Sequence, residues 1–249
     1  MHEIKEQAEE RAGEVFAPFP HDRLFLKDAL ARAAGNLFAP SLESPETHLL
    51  RNEAKQVSFI IGRPNSDFVA DAAPLLQTGE WEPCVSLPSD DWRDELMKRD
   101  DLFYIGDPMI TFSSLGSPSG VEMSGDKVVR LGEIHIDQIK PSGWVSAAEF
   151  VQQNVGFGVV SDEKVLSYAI SNFAVSDIVE VAVWTSSDHQ RRGLAFESAS
   201  ALLNFCRTER IDAQWTSWSG NTAACNLARK LGFTKEHPHD WAFVKPNKE

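Results

Sequence analysis

Cysteine is scarce in this chain, basic clusters are missing, and no apolar run is long. The three cysteines among 249 residues, Cys84, Cys206 and Cys225, are too few and too far apart for a disulfide framework. They read as free thiols of a reducing compartment, which predicts a cytoplasmic protein. The charged start MHEIKEQAEERAGEVFAPFP lacks the apolar core of a secretory signal, and no segment approaches the roughly 20 apolar residues of a membrane span. Neither export nor membrane insertion is expected. With 24 basic against 37 acidic side chains, the formal charge of -13 disfavours a nucleic-acid partner. Internal repeats of about 20 to 50 residues are not visible, and the glycine loops that bind dinucleotides or nucleoside triphosphates do not occur.

What is present is core-forming material. At 42% hydrophobic the chain can bury one large domain or two small ones, and two are expected, residues 1–130 and 131–249. The boundary follows SLGSPSGVEMSGDK, Ser114 to Lys127, whose serine and glycine read as a linker or a long hairpin loop. Before it, helical spacing covers Ile4 to Phe16 and Arg23 to Ala34, and strands are predicted in QVSFIIGR, EPCVSL and PMITFSSL. SDDWRDELMKRDD adds a helix capped by Ser89 with an acidic first turn. This smaller mixed α/β region carries no chemical motif.

Beyond residue 130 the predicted order is a strand at Gly132 to Ile139, a helix at Ser146 to Asn154, strand GFGVVS, a turn at Asp162 and Glu163, and strands KVLSYAIS and DIVEVAVWT. A helix from about Gly193, strand DAQWTSW, helix TAACNLARKL and an apolar end WAFVK complete it. That alternation predicts an α/β (α+β) fold, a mixed sheet with helices packed on it.

Arg191 and Arg192 stand where the helix near Gly193 begins, although a helix start carries partial positive charge and four unpaired N–H groups. An anion seated there would reconcile the two. In QRRGLA, Gly193 and the small Ala195 let a bulky ligand approach the backbone, and Ala195, Ala199, Leu202, Leu203 and Cys206 give the helix one apolar face. A plain turn, with the arginines paired to Asp188 or Glu197, is the competing reading. A second segment, SGNTAACNLARKLGF, is explained by structure: Asn221 caps a helix, Ala224, Leu227, Ala228 and Leu231 form its stripe, Arg229 and Lys230 suit its last turn, and Gly232 ends it.

Together, and in this order, the two segments resemble the GNAT acetyltransferase superfamily. Gln190, Gly193 and Ala195 match its acyl-CoA signature; Asn221, Ala224, Leu227, Leu231, Gly232 and Phe233 match its later pattern. Over Gly156 to Phe233 the look is closest to the branch with the zwittermicin-resistance acetyltransferases. The resemblance implies a mostly antiparallel GNAT-type sheet flanked by helices, with acetyl-CoA as cosubstrate and no metal. It implies that backbone N–H groups of Gln190, Arg191, Arg192, Gly193, Leu194 and Ala195 hold the CoA pyrophosphate, with Asn221 in the same binding set. The pantetheine would run beside Val181 to Trp184 at a splayed sheet edge, its carbonyl near the N–H of Val183 or Trp184. The tyrosine that donates a proton in many members, seven residues after the asparagine, is replaced by Ala228.

Glu180 is the candidate base, with a surface carboxylate as its alternative. His189 sits beside the proposed phosphates and reads as a solvent or phosphate contact. Ser217 and Ser219 suit strand-end hydrogen bonding, Cys225 reads as a buried small residue, and Tyr168 is the only tyrosine of the motif-bearing half. His237 and His239 are expected in a polar loop without metal-ligand companions. Trp215, Trp218 and Trp241 read as core or wall. The expected function is transfer of acetyl from acetyl-CoA to the amine of a small molecule by direct attack in a ternary complex, with residues 1–130 forming part of the acceptor site. The alternative is a catalytically degenerate acyl-CoA-binding or protein-interaction module. The sequence assigns no oligomeric state.

Overall fold

The computed structural model describes residues 1–4, 24, 35–40, 47–52, 57–77, 84–116, 128–139, 150, 152, 154–175 and 177–245. Of the expected helices over Arg23 to Ala34 and Ser146 to Asn154, Leu24, Phe150 and Gln152 are described and helical and Asn154 is described outside a helix; the rest of both, the part of the Ile4 to Phe16 helix after Ile4, and most of the serine-glycine stretch lie outside the described residues, and Ile4 itself ends a strand.

Two compact units form, Met1–Ile110 with Trp218–Gly220 and Pro238–Glu249, and Thr111–Ser217 with Asn221–His237. In the first, β1 (His2–Ile4), β2 (Gly35–Ala39), β3 (Thr47–Asn52) and β4 (Val57–Gly62) form an antiparallel series. Helix α1 (Ser66–Leu76) crosses over to β5 (Cys84–Ser86), which runs parallel to β4; α2 (Asp90–Met97) and β6 (Phe103–Ile105) follow. The chain then enters β7 (Met109–Leu115), a strand of the second sheet.

In the second unit β8 (Val128–Arg130), β9 (Gly156–Ser161), β10 (Lys164–Val175) and β11 (Ile178–Thr185) are again antiparallel. Helix α3 (Leu194–Glu209) crosses over to the parallel strand β12 (Asp212–Trp218), followed by α4 (Thr222–Lys230) and β13 (Phe233–His239). The last strand, β14 (Trp241–Val244), pairs with β5 and β6 of the first sheet.

The sheet orders are β1-β2-β3-β4-β5-β14-β6 and, read from β8, β8-β9-β10-β11-β12-β7-β13. They are the same topology twice. In each, the sixth position is filled by a strand from the other half of the sequence. The expected mixed α/β, mostly antiparallel architecture therefore holds, and the N-terminal part carries a seven-stranded sheet of its own.

Local chemistry explains most elements. Asp162 and Glu163 have φ of 48° and 62°, the left-handed pair of a tight hairpin turn between β9 and β10. Ser89 occupies the cap position of α2, with Asp90 and Asp91 in the first turn. Ala199, Leu202, Leu203 and Cys206 of α3 are buried, as their spacing predicts. Two expectations are corrected. Gly132 to Ile139 is not a strand: Glu133–Gln138 is a 3-10 turn in which the His135 N–H donates to the Gly132 carbonyl at 2.9 Å, and Ile139 is buried in the adjoining core. His237 and His239 lie on β13 rather than in a loop, with His237 Nε2 3.0 Å from Ser113 Oγ.

Candidate functional site

The second sheet opens between its two parallel strands. β11 and β12 pair at Ile178↔Asp212, Val179↔Ala213 and Glu180↔Gln214, and there the ladder stops, although both strands continue. The cause lies on the neighbouring strand. β10 shifts register between Ser171 and Phe173, opposite Val181 and Glu180, and such a bulge bends a strand and increases its twist. The bulge and the end of the ladder coincide. This leaves a crevice beyond the carboxyl ends of two parallel strands, where ligands of open α/β sheets are held.

Backbone polarity along β11 follows from its hydrogen bonds. The Ser186 N–H donates to the Leu166 carbonyl at 2.9 Å on the β10 side, and the Asp212 N–H donates to the Asp177 carbonyl at 2.9 Å on the β12 side. Alternation in the ladder then turns the N–H of Trp184 towards β10 and the N–H of Val183 towards the open side. Of the two donors the sequence left open, Val183 is the one facing the crevice. Ser167 Oγ fixes the strand end by donating to the Trp184 carbonyl at 3.0 Å and lying 2.7 Å from Thr185 Oγ1.

The loop between β11 and α3 is shaped by its own side chains. Ser186 Oγ and His189 Nδ1 are 2.8 Å apart, the His189 N–H donates to the Ser186 carbonyl at 2.9 Å, and Gln190 Nε2 reaches back to the Thr185 carbonyl at 3.4 Å. His189 is thus engaged with the turn. The chain then passes through left-handed conformations at Arg191, φ 61°, and Gly193, φ 88°. Gly193 caps α3, and a Cβ built on it would meet nothing within 4 Å, so the position requires glycine for its φ and faces open space.

The N–H groups of Leu194, Ala195 and Phe196, in the first turn of α3, have no intrahelical acceptor, because the first bond of the helix is Glu197 N–H to the Gly193 carbonyl at 3.2 Å. Among the described residues neither Arg191 nor Arg192 is paired with a carboxylate, so the pairing with Asp188 or Glu197 does not form. Both arginines are exposed. Open first-turn amides with two exposed cations at the start of a 16-residue helix are chemistry suited to a phosphate-bearing anion.

The side chains of β11 sort by face. Glu180, Ala182 and Trp184 alternate on the face shared with Tyr168 and Ile170. Glu180 is 7% exposed, which removes the surface-carboxylate alternative. Trp184 is 43% exposed and stacks on Tyr168 with centroids 5.4 Å apart, a platform missed in the sequence because the partners are sixteen residues apart and meet only through strand register. Val181 is buried.

Asn221 caps α4, accepting from the Ala224 N–H at 3.2 Å, and Ala228 is fully buried. Cys225 is buried, as are Ser217 and Trp215; the Ser219 N–H donates to the Pro108 carbonyl at 2.7 Å. Burial pushes the Cys206 thiol up to about 11 and Cys84 up to about 12, so neither is a ready nucleophile. Trp241 is buried, whereas Trp218 stays partly exposed beside Phe243. Among the described residues no group of His, Cys, Asp and Glu could hold a metal ion, and no helix is long and apolar enough to cross a membrane.

Residues 135–241 match the family model for GNAT acetyltransferase. No curated protein matches the chain. Among solved structures, a GCN5-related N-acetyltransferase-like protein from Streptococcus suis 89/1591 superposes with a TM-score of 0.70 at 15% identity, over 95% of this chain and 98% of that one. A GNAT-family acetyltransferase from Colwellia psychrerythraea gives 0.63 at 12% identity over 98% of both chains. A tandem GNAT protein from the clavulanic acid biosynthesis pathway gives 0.60 at 10% identity, over 99% of this chain and 98% of that one. At these identities the likeness is one of fold. The match to the GNAT acetyltransferase model is confined to residues 135–241, and the solved structures add that nearly the whole chain shares their fold.

Proposed function

We propose that the chain is an acetyl-CoA-dependent N-acetyltransferase that acylates the amine of a small molecule by direct attack in a ternary complex. The observation that carries the reading is the left-handed turn at Gly193 with the open first-turn amides of α3, next to the crevice where the β11–β12 ladder ends. Those amides, with Arg191, Arg192, Gly193, Leu194 and Ala195 around them, would hold the pyrophosphate, and Val181 to Trp184 would line the pantetheine arm, with Asn221 nearby in the binding set. When bound, the cosubstrate supplies an acetyl thioester as electrophile.

The chain's own contributions follow from their placement. The Val183 N–H, fixed by the ladder to β10, is a preorganised donor for negative charge developing at the acyl oxygen, a role worth about 3 to 4 kcal/mol. Glu180, three residues before it and buried, accepts the amine proton directly or through a water. The exposed Trp184 face, backed by Tyr168, offers a flat apolar wall for an acceptor. The likeness to the zwittermicin-resistance branch and a cytoplasmic location belong to the same proposal.

A second reading rests on Ala228, which is fully buried where many members place a proton-donating tyrosine: a degenerate module that holds acyl-CoA without transferring it. Thiol release from acetyl-CoA over a panel of amines separates the two. Acceptor-dependent release that falls in Glu180→Gln while CoA affinity is kept supports the enzyme. CoA-dependent thermal stabilisation without turnover on any amine supports the module, and no CoA binding sinks both.

A further inference from the structure

The two sheets share one strand order, including a parallel fourth and fifth strand joined by a helix, so the first unit has a counterpart of every part of the proposed cofactor seat. We infer that the chain holds one CoA, in the second unit, and that the first unit is a second copy of the architecture whose seat is filled by its own side chains. The inference rests on the cofactor reading of the second unit and adds a stoichiometry and a reason for it.

The helix starts differ in who uses the backbone. Asn65 opens α1 as Gly193 opens α3. Asn65 Oδ1 accepts from the N–H of Asp67 at 2.9 Å and of Phe68 at 3.1 Å, consuming amides that the second unit leaves unpaired. Asp67 then puts a carboxylate in the first turn, where Ala195 stands in α3. An anion approaching α1 meets spent donors and a like charge. The connection from β4 to α1 is also short, and its Arg63 carbonyl accepts from Thr47 Oγ1 at 2.8 Å.

The crevice is filled as well. The β4–β5 ladder ends at Phe59↔Ser86 while β4 runs on to Gly62. There the Gly62 carbonyl accepts from Trp92 Nε1 at 2.9 Å, and the Trp92 side chain is fully buried, edge to face with Phe68 at 5.8 Å. Trp92 is the third residue after the α2 cap Ser89; the third residue after the α4 cap Asn221 is Ala224. An indole stands at the point of α2 where α4 has an alanine. Ser66, the first residue of α1, donates to the Glu95 carboxylate of α2 and ties the two helices together over the filled seat.

Calorimetric titration of the full chain with CoA tests this, together with Gly193→Asp and the double charge reversal R191E/R192E, each checked for a cooperative melt. The expected result is one equivalent per chain, lost in Gly193→Asp and weakened in the double variant, with no residual site. Two equivalents, or one equivalent that survives Gly193→Asp unchanged in a folded protein, would overturn the inference while leaving the chain a CoA-binding protein. No binding to the wild type would overturn both the inference and the cofactor reading beneath it.

Discussion

Two helix starts, Asn65 before α1 and Gly193 before α3, occupy the same point of the same strand order and do opposite things with it. At Asn65 an extended backbone, φ -152°, aims a side-chain oxygen at the first-turn amides and closes the helix against solvent. At Gly193 the backbone is left-handed, no side chain exists, and the amides stay open. A capping side chain and a bound anion satisfy the same donors, so a helix start serves stability or a ligand. Trp92 and Ala224 repeat the trade one layer in. Filling the crevice adds core; leaving it open keeps room for a guest.

The largest break in that comparison is Trp92→Ala. Removing a fully buried indole that also satisfies the Gly62 carbonyl should cost about 3 to 5 kcal/mol, read as a lower urea midpoint at constant slope. A loss below about 1 kcal/mol, typical of surface substitutions, would mean that the ring does not fill the seat. The reciprocal change, Ala224→Trp, asks the second unit to behave like the first. The side chain at 224 is only half-buried, so the fold is expected to persist while CoA affinity drops about tenfold or more, about 1.4 kcal/mol. Unchanged affinity in a differential scan against CoA would show that the two positions are not equivalent.

How much of this was legible beforehand follows from what each feature is made of. The elements of the second unit came from local patterns: the buried spacing of α3, the Asn221 cap and the strand DAQWTSW are written in neighbouring residues. The glycine at 193 and the amide run behind it were legible for the same reason. The duplication was not, because it lives in strand order and leaves different residues at matching points, Asn65 against Gly193, Trp92 against Ala224. The bulge between Ser171 and Phe173, the Tyr168–Trp184 stack and the choice of Val183 over Trp184 depend on register, which a single strand does not carry. Gly132 to Ile139 misled because the apolar alternation of Ile134 and Ile136 fits a strand, while the 3-10 turn exposes Ile134 at 86%.

Asn65→Ala sharpens the comparison at the cap itself. It should cost about 1 kcal/mol of stability, the usual worth of a side-chain cap, with CoA affinity unchanged. A gain of a second CoA equivalent on this change alone would show that the cap, and not Trp92, is what closes the first seat.

The smallest expected effect is a pH dependence peculiar to the first unit. The Glu95 carboxyl is held below its ordinary 4.5 by the hydrogen bond from Lys98, 2.7 Å away, and by the Ser66 hydroxyl. A depressed folded pKa means that this stabilisation is full above the unfolded value of 4.5 and fades as pH falls through the lower folded value. Lys98 is 64% exposed, so the contribution stays under about 1 kcal/mol. Glu95→Gln should therefore lower the urea midpoint slightly at neutral pH, and the gap to wild type should close in acid. The second unit has no such carboxylate over its seat, because the residue at the same distance from the α4 cap as Glu95 from Ser89 is Leu227. A gap that widens in acid would mean that Glu95 is protonated in the folded protein, and that α1 and α2 are joined by a neutral pair instead of a charged one.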